Sequence, residues 1–472
     1  MTRIPMGKYK DQMLETLSRL IAIPSLKSTP ALNMPYGKEI CNALMFMLDQ
    51  AEALDLDSEN LFGHMGCASY GSGSETLGIL THLDVVPAGE GWDTPPFEAV
   101  VKDGKIYGRG AVDNKGPAVA ALYALHAIKQ TCIGLNKQVK VFFGCDEESG
   151  WGDIDFFKAH YPEIDYVISP DAYFPIVNRE KGLLHLKASC PVSEAAGNGI
   201  AICDIKAGSR PNIVPNKATC TLRGPAQTIA AMAEVFAEGL PAKMTATVNG
   251  DRVDILVEGK AAHGAHPEQG INALSYLLMF LNILPMAAGP AEKAAYTLAK
   301  LVGLELDGKS LGIAGSDGQS GSLSLNLGSI AMEDGTLTAQ LDIRYPISMD
   351  GEDILKKVEE AFVKHGMSIA VGHAQPAHYV DENSPFIKAL KKVYEENFSE
   401  PAECCCCCGA TYARAFKNSV AFGPVGKDAP SVEHGPNEYF KVDDMIRLAE
   451  VIAGVILEVA ADPEQSADLM NL

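Results

Sequence analysis

Basic residues are in short supply. The 472-residue chain carries 39 lysines and arginines against 60 aspartates and glutamates, a formal charge of −21. That deficit argues against nucleic acid or an anionic membrane as partner. Long apolar runs are also lacking: the longest, residues 273–284, is too short to cross a bilayer. Residues 1–7 show no charged-then-apolar signal pattern, and an amphipathic helix with Met13, Leu14, Leu17, Leu20 and Ile21 on one side follows. Both absences lead to the expectation of a cytoplasmic protein. Cys41, Cys67, Cys132, Cys145, Cys190, Cys203 and Cys220 lack the paired spacing of a metal site, so reduced thiols are expected. No fixed-period repeat is present, and 47% apolar residues argue against disorder.

What the chain does have is a series of acids and histidines in a meaningful order: His82, Asp84, Asp113, Glu147, Glu148, Asp171, His263 and His434. Two divalent ions roughly 3.5 to 4 Å apart need one shared carboxylate, plus a His and a carboxylate for each. Asp113 is the candidate bridge, His82 with Asp171 would hold one ion, and Glu148 with His434 the other. Glu147 is left beside the metals and is suited to take a proton from the attacking water and return it to the leaving amine. Asp84, two residues after His82, is placed to orient the imidazole rather than to bind metal. A lone His-x-Asp or Glu-Glu pair is ordinarily loop or solvated charge; joint occurrence in order gives these their weight.

The flanking residues strengthen this reading. Residues 77–80, 139–143 and 166–168 read as short buried strands, each followed by His82, by Glu147 and Glu148, or by Asp171. Open α/β sheets bind ligands at that strand edge. The expected fold is therefore α/β, a catalytic domain with a mixed, mostly parallel sheet flanked by helices. At this length more than one core is expected. Residues 185–380 supply no metal ligand, so the reading is a catalytic domain in two parts, 1–184 and 381–472, interrupted by an α+β lid domain at 185–380. The last helix, with Met445, Leu448, Ile452, Val455 and Val459 in a three-four rhythm, should pack on the catalytic core.

The chain resembles the metallohydrolases that include acetylornithine deacetylase, succinyl-diaminopimelate desuccinylase, aminoacylase and several dipeptidases. Its marks are Thr81-His82-Leu83-Asp84-Val85-Val86-Pro87, Gly108-Arg109-Gly110-Ala111-Val112-Asp113-Asn114-Lys115-Gly116-Pro117 and Asp146-Glu147-Glu148-Ser149-Gly150. The second of these, with Gly259-Lys260-Ala261-Ala262-His263-Gly264 and Thr411-Tyr412-Ala413-Arg414, is most similar to the PepV-type dipeptidase branch. The resemblance implies that His263 stabilises the oxyanion from the lid, that Asn212 and Arg344 grip the substrate's C-terminal carboxylate, and that Arg414 contacts substrate. It also implies a lid enlarged to imitate a dimer, and hence a monomer. Local pattern supports Arg344: it alternates with Leu337, Ala339, Leu341 and Ile343, so it leaves the core face. The competing readings are a satisfied surface His for His263, with His266 as rival, a turn residue for Asn212, and surface ion pairs for Arg344 and Arg414. His126 reads as packing.

One segment departs from the family pattern: Cys404-Cys405-Cys406-Cys407-Cys408, just before Gly409-Ala410. Adjacent side chains point apart and make poor tetrahedral ligands. A packed strand or loop ranks first, a redox-sensitive or soft-metal site second. The implied activity is dinuclear metal-dependent hydrolysis of dipeptides, with zinc first and manganese or cobalt able to substitute, since the ligands are N and O only. The alternative is an N-acyl amino acid deacylase or desuccinylase on the same metals. A binding protein without turnover is disfavoured, because binding alone needs no proton shuttle such as Glu147.

Overall fold

The computed structural model describes residues 4–197, 199–409 and 411–462. Residues 1–3 of the stretch read for a signal pattern, and Ala410, lie outside the described residues. The described residues fold as two compact units, one comprising residues 4–179, 379–405 and 411–462, the other 180–197, 199–378 and 406–409.

The first unit is built on a mixed sheet. Four neighbouring strands are parallel, in the order Gln138–Gly144, Thr76–His82, Tyr166–Ser169 and Ser419–Ala421. Met65–Tyr70 and then Asp57–Leu61 extend one edge antiparallel. Thr76–His82 is buried from Leu77 onward, as expected of a parallel strand covered on both faces. The register sets His82 beside Gly144, so His82 and the residues after Gly144 emerge at the same edge. Helix Lys115–Gln130 is buried on nearly every side, and helix Val442–Ala460 packs against it through Met445, Leu448 and Ile452 in the same core.

The second unit is an eight-stranded antiparallel sheet. Its order is Lys243–Asn249, Arg252–Glu258, Lys217–Arg223, Ala201–Ala207, Ser324–Glu333, Thr336–Tyr345, Gly182–Pro191 and Ser368–Gln375. One face packs Leu186, Leu327, Leu341 and Ile343 against helices that include Ala273–Ile283, Pro290–Leu301 and Gly351–Val363. The cysteine run is a strand, Cys404–Cys407, of half-buried residues. Among the described residues no helix is long and apolar enough to cross a membrane.

Candidate metal centre

Three parallel strands and one helix start deliver the site of the first unit. His82 closes its strand, Glu147 and Glu148 follow Gln138–Gly144, Asp171 follows Tyr166–Ser169, and Asp113 precedes helix Lys115–Gln130. His82 Nε2 lies 3.0 Å from Asp113 Oδ1 and 3.6 Å from Asp171 Oδ1. His434 Nε2 lies 3.0 Å from Asp113 Oδ2 and 3.1 Å from Glu148 Oε1. Two groups able to hold a cation result, His82–Asp113–Asp171 and Asp113–Glu148–His434, and Asp113 belongs to both. His82 Nδ1 is 3.0 Å from the Asp84 carbonyl oxygen, which can only accept. Nδ1 therefore carries a proton, and Nε2 is the nitrogen left to donate to the acids or, with a cation in place, to bind it. The Asp84 carboxylate accepts from the backbone N–H groups of Glu147 and Glu148, at 3.1 and 3.0 Å. It thereby ties the end of the His82 strand to the glutamate loop. The Glu147 carboxylate makes no hydrogen bond among the described residues.

The electrostatics show a cluster short of positive charge. Burial would lower the His82 pKa, yet Asp171, Asp113 and Asp84 outweigh it and raise it well above the usual range. Hydrogen bonds to Asp113 and Glu148 push His434 up to about 11. Burial and the Asp113 charge push Glu148 up to about 7. Burial and then Asp171 raise Glu147 well above the carboxylate range. Asp113, Glu147, Glu148 and Asp171 outnumber the two imidazoles, so protons must supply the compensating charge. A divalent cation in each group would take their place, and a donor set of imidazole nitrogen and carboxylate oxygen suits one.

Residues 78–458 match the sequence profile of Peptidase family M20/M25/M40. The chain belongs to this family. This M20 chain is 32% identical over 460 residues to the Beta-Ala-Xaa dipeptidase of Lactobacillus delbrueckii subsp. lactis, an alignment covering 96% of this chain and 97% of that one. In fold it is similar to the di-peptidase Dug1p from Saccharomyces cerevisiae, with TM-score 0.59, 16% identity, and coverage of 96% and 97%. A metallo-carboxypeptidase of the family from Sulfolobus solfataricus matches with TM-score 0.59, 19% identity, and coverage of 94% and 98%.

Much of what supports the M20 site was not singled out in the sequence. Glu438, fully buried, accepts from Arg109 Nη1 at 2.7 Å and from the backbone N–H groups of Gly110, Val112 and Asp113 at 3.0 to 3.2 Å. It holds the whole approach to Asp113. Gly110 adopts φ +86°, and a side chain at Gly116 would meet the Ala111 carbonyl oxygen at 2.1 Å, so both glycines are required by this loop. The Asn114 amide donates to Asp171 Oδ1 at 2.9 Å. Asp146 accepts from Lys27 Nζ at 2.5 Å and from Ser149 Oγ at 2.7 Å, bracing the loop that carries Glu147. Buried Asp153 accepts from Tyr412 Oη and from the N–H groups of Cys145 and Asp146. Arg414 stands half-buried on the short 3-10 helix Tyr412–Ala415 of the same unit.

The remaining residues implied by the resemblance lie in the second unit and cluster there. The Asn212 carbonyl accepts from Gly264 N–H at 2.7 Å, next to exposed His263, whose Nδ1 accepts from Ala265 N–H at 3.2 Å. A side chain at Gly264 would meet Asp342 Oδ2 at 2.7 Å, so this loop packs against Asp342. Asp342 in turn holds Arg344, through Nε at 2.8 Å and Nη2 at 3.2 Å, while Arg344 Nη1 donates to the Cys408 carbonyl at 3.0 Å. The alternation placed Arg344 off the core face, and there it lies. It is nonetheless only 4% exposed, which corrects the surface ion-pair reading. His266 pairs at 3.4 Å with Glu268 on the surface. His126 packs edge-on against Tyr9 and bonds to the Leu54 carbonyl.

Proposed function

We propose that the chain hydrolyses dipeptides at a two-zinc centre. The observation that carries this reading is a single carboxylate, Asp113, common to two three-residue groups. His82 and Asp171 would hold one ion, Glu148 and His434 the other, with Asp113 between them. Ions so held supply Lewis acidity to the scissile carbonyl and a nucleophile at neutral pH. The rest falls to side chains. The Glu147 carboxylate takes a proton from the attacking water and delivers it to the departing nitrogen. Asp84 keeps the His82 imidazole and the Glu147 backbone in place. The role of His263 is to stabilise the oxyanion. Arg344 and Asn212 take the substrate's free carboxylate, and Arg414 contacts the substrate. Supporting this, the Asn212 amide has no hydrogen bond among the described residues, and the Arg344 guanidinium has donors beyond those that Asp342 and Cys408 engage. The Lactobacillus relative, named for β-alanyl dipeptides, favours a dipeptide over an N-acyl amino acid. The size of the second unit supports a monomer, and the enzyme is read as cytoplasmic.

The deciding experiment compares a panel of free dipeptides with their N-acetylated forms, with zinc or manganese added. Free dipeptides should be cleaved at least about tenfold faster, the scale on which a site discriminates one polar group. Preference for the acetylated forms would replace the dipeptidase reading by a deacylase, and no release of amino acids from either would overturn both.

A further inference from the structure

A cavity of about 710 Å³ lies wholly within the second unit. It opens between the end of strand Gly182–Pro191, the end of helix Ala273–Ile283, the start of helix Pro290–Leu301 and the turn 365–367. Buried Leu281, Leu284, Ala287, Ala295 and Met367 make its walls apolar. The connection between the two helices is pinned: Ala287 N–H donates to the Ile200 carbonyl at 2.8 Å, and Ile200 N–H donates to the Pro285 carbonyl at 3.1 Å. A preformed cavity of this volume falls in the range of about 300 to 1,000 Å³ that holds a small organic ligand. Asn212, His263 and Arg344, the substrate residues of this unit, take no part in it.

One acid gives this cavity its chemistry. Glu292, only 5% exposed, lines it from the first turn of its helix. Its Oε1 accepts from Ile202 N–H at 2.8 Å, but its Oε2 is buried with no hydrogen bond among the described residues. Oε2 lies at the cavity wall, where a Cβ on the lining residue Gly289 would approach it to 2.1 Å. A buried acceptor without a partner is costly, so this oxygen calls for a donor supplied from the cavity. The opposite charge stands on another side: a Cβ on Gly366 would lie 3.5 Å from Lys293 Nζ, which places that ammonium over the turn that carries half-buried His365. Among the described residues no hydrogen bond or ion pair engages the Lys293 and His365 side chains. We propose that this cavity binds a small zwitterion with an apolar body, a free amino acid or a short peptide, its ammonium on Glu292 and its carboxylate toward Lys293. Charge-assisted hydrogen bonds at the two ends fix its direction, and the apolar walls take up a leucine-like side chain. The proposed reaction consumes one such zwitterion and releases two others. Binding at this cavity is independent of that reading, and its test needs no turnover.

The test is equilibrium dialysis of the metal-loaded full-length protein with radiolabelled leucine, displaced by four unlabelled competitors. Leucine and leucyl-leucine with an N-methylated, cleavage-resistant bond carry both charges, and whichever displaces at the lower concentration identifies the source of the ligand. Leucinamide lacks the carboxylate and N-acetyl-leucine lacks the ammonium. Both should displace at least about tenfold more weakly than leucine, because a site built to bond a group rejects the analogue without it. Lys293→Met should bring leucinamide to within about twofold of leucine, and Glu292→Gln should do the same for N-acetyl-leucine. A preference is a ratio taken on one protein sample, so loss of folded protein cancels from it, and Lys293 is exposed, so its replacement leaves the core untouched. Neither variant touches the candidate metal centre, so leucine held there would keep the parent's preferences. A parent that binds no leucine, or a preference that stays within twofold of the parent's in either variant, would overturn the assignment.

Discussion

Glu147 and Asp153 both sit where burial raises a carboxyl's pKa, yet they serve opposite ends. Glu147→Gln removes the proposed proton carrier while leaving the five metal-ligand candidates intact. Turnover should fall by about 100-fold or more, with two metal equivalents still found by elemental analysis. Lost metal with unchanged rate would sink the assignment. Asp153 is structural. Burial pushes its carboxyl up to about 7, against the opposing pull of Tyr412 and the backbone N–H groups. Its ordinary value is 3.8. The folded state therefore binds this proton more tightly than the unfolded chain does. The stabilisation is full below the unfolded value and is lost as pH climbs through about 7. Asp153→Asn should lower Tm at pH 5 more than at pH 8; an equal loss at both would show that the proton contributes nothing. Arg344 marks the limit of what sequence tells at this scale. Alternation gives the face a side chain takes, not whether water reaches that face, and its exclusion depends on Asp342 two residues earlier and on the distant Cys408.

At the scale of elements, the strands leading to His82, Glu147, Glu148 and Asp171 were legible because a parallel strand buried on both faces reads as a nearly uninterrupted apolar run with polar ligands at or after its end. The loop at Asp113 was legible only as a motif. Its support, Glu438, lies more than 300 residues further along the chain, and a single acid in a polar loop carries no periodicity to betray it. Breaking the buried Arg109–Glu438 pair from one side, by Glu438→Ala, should cost about 3 to 5 kcal/mol and appear as a clearly lower Tm in calorimetry. The cysteine strand separates packing from chemistry. Its thiols belong to neither cation-binding group. Burial raises Cys404 and Cys405 and pushes Cys407 up to about 12. Thiolate is the reactive form, so at pH 7 iodoacetamide should label exposed Cys132 well before these three. Equal labelling by mass spectrometry would restore the redox reading that the sequence left second.

For the molecule as a whole, the concentration of acids around Asp113 ties stability to the bound ions. Anything that binds the folded state alone raises its melting temperature, so chelation should lower Tm together with activity; a chelated sample that melts no earlier would contradict this. The division into two units has a further consequence for biosynthesis. Residues 180–378 form a nearly continuous stretch, whereas the first unit lacks both the strand Ser419–Ala421 and His434 until well after that stretch is made. During translation the inserted unit can complete its sheet, apart from the contribution of residues 406–409, while the flanking unit still waits for its last parallel strand. A nascent chain would thus acquire the imidazole that finishes its second cation group only after the inserted unit has been made, so a product truncated before residue 434 would carry Asn212, His263 and Arg344 but only one complete cation group.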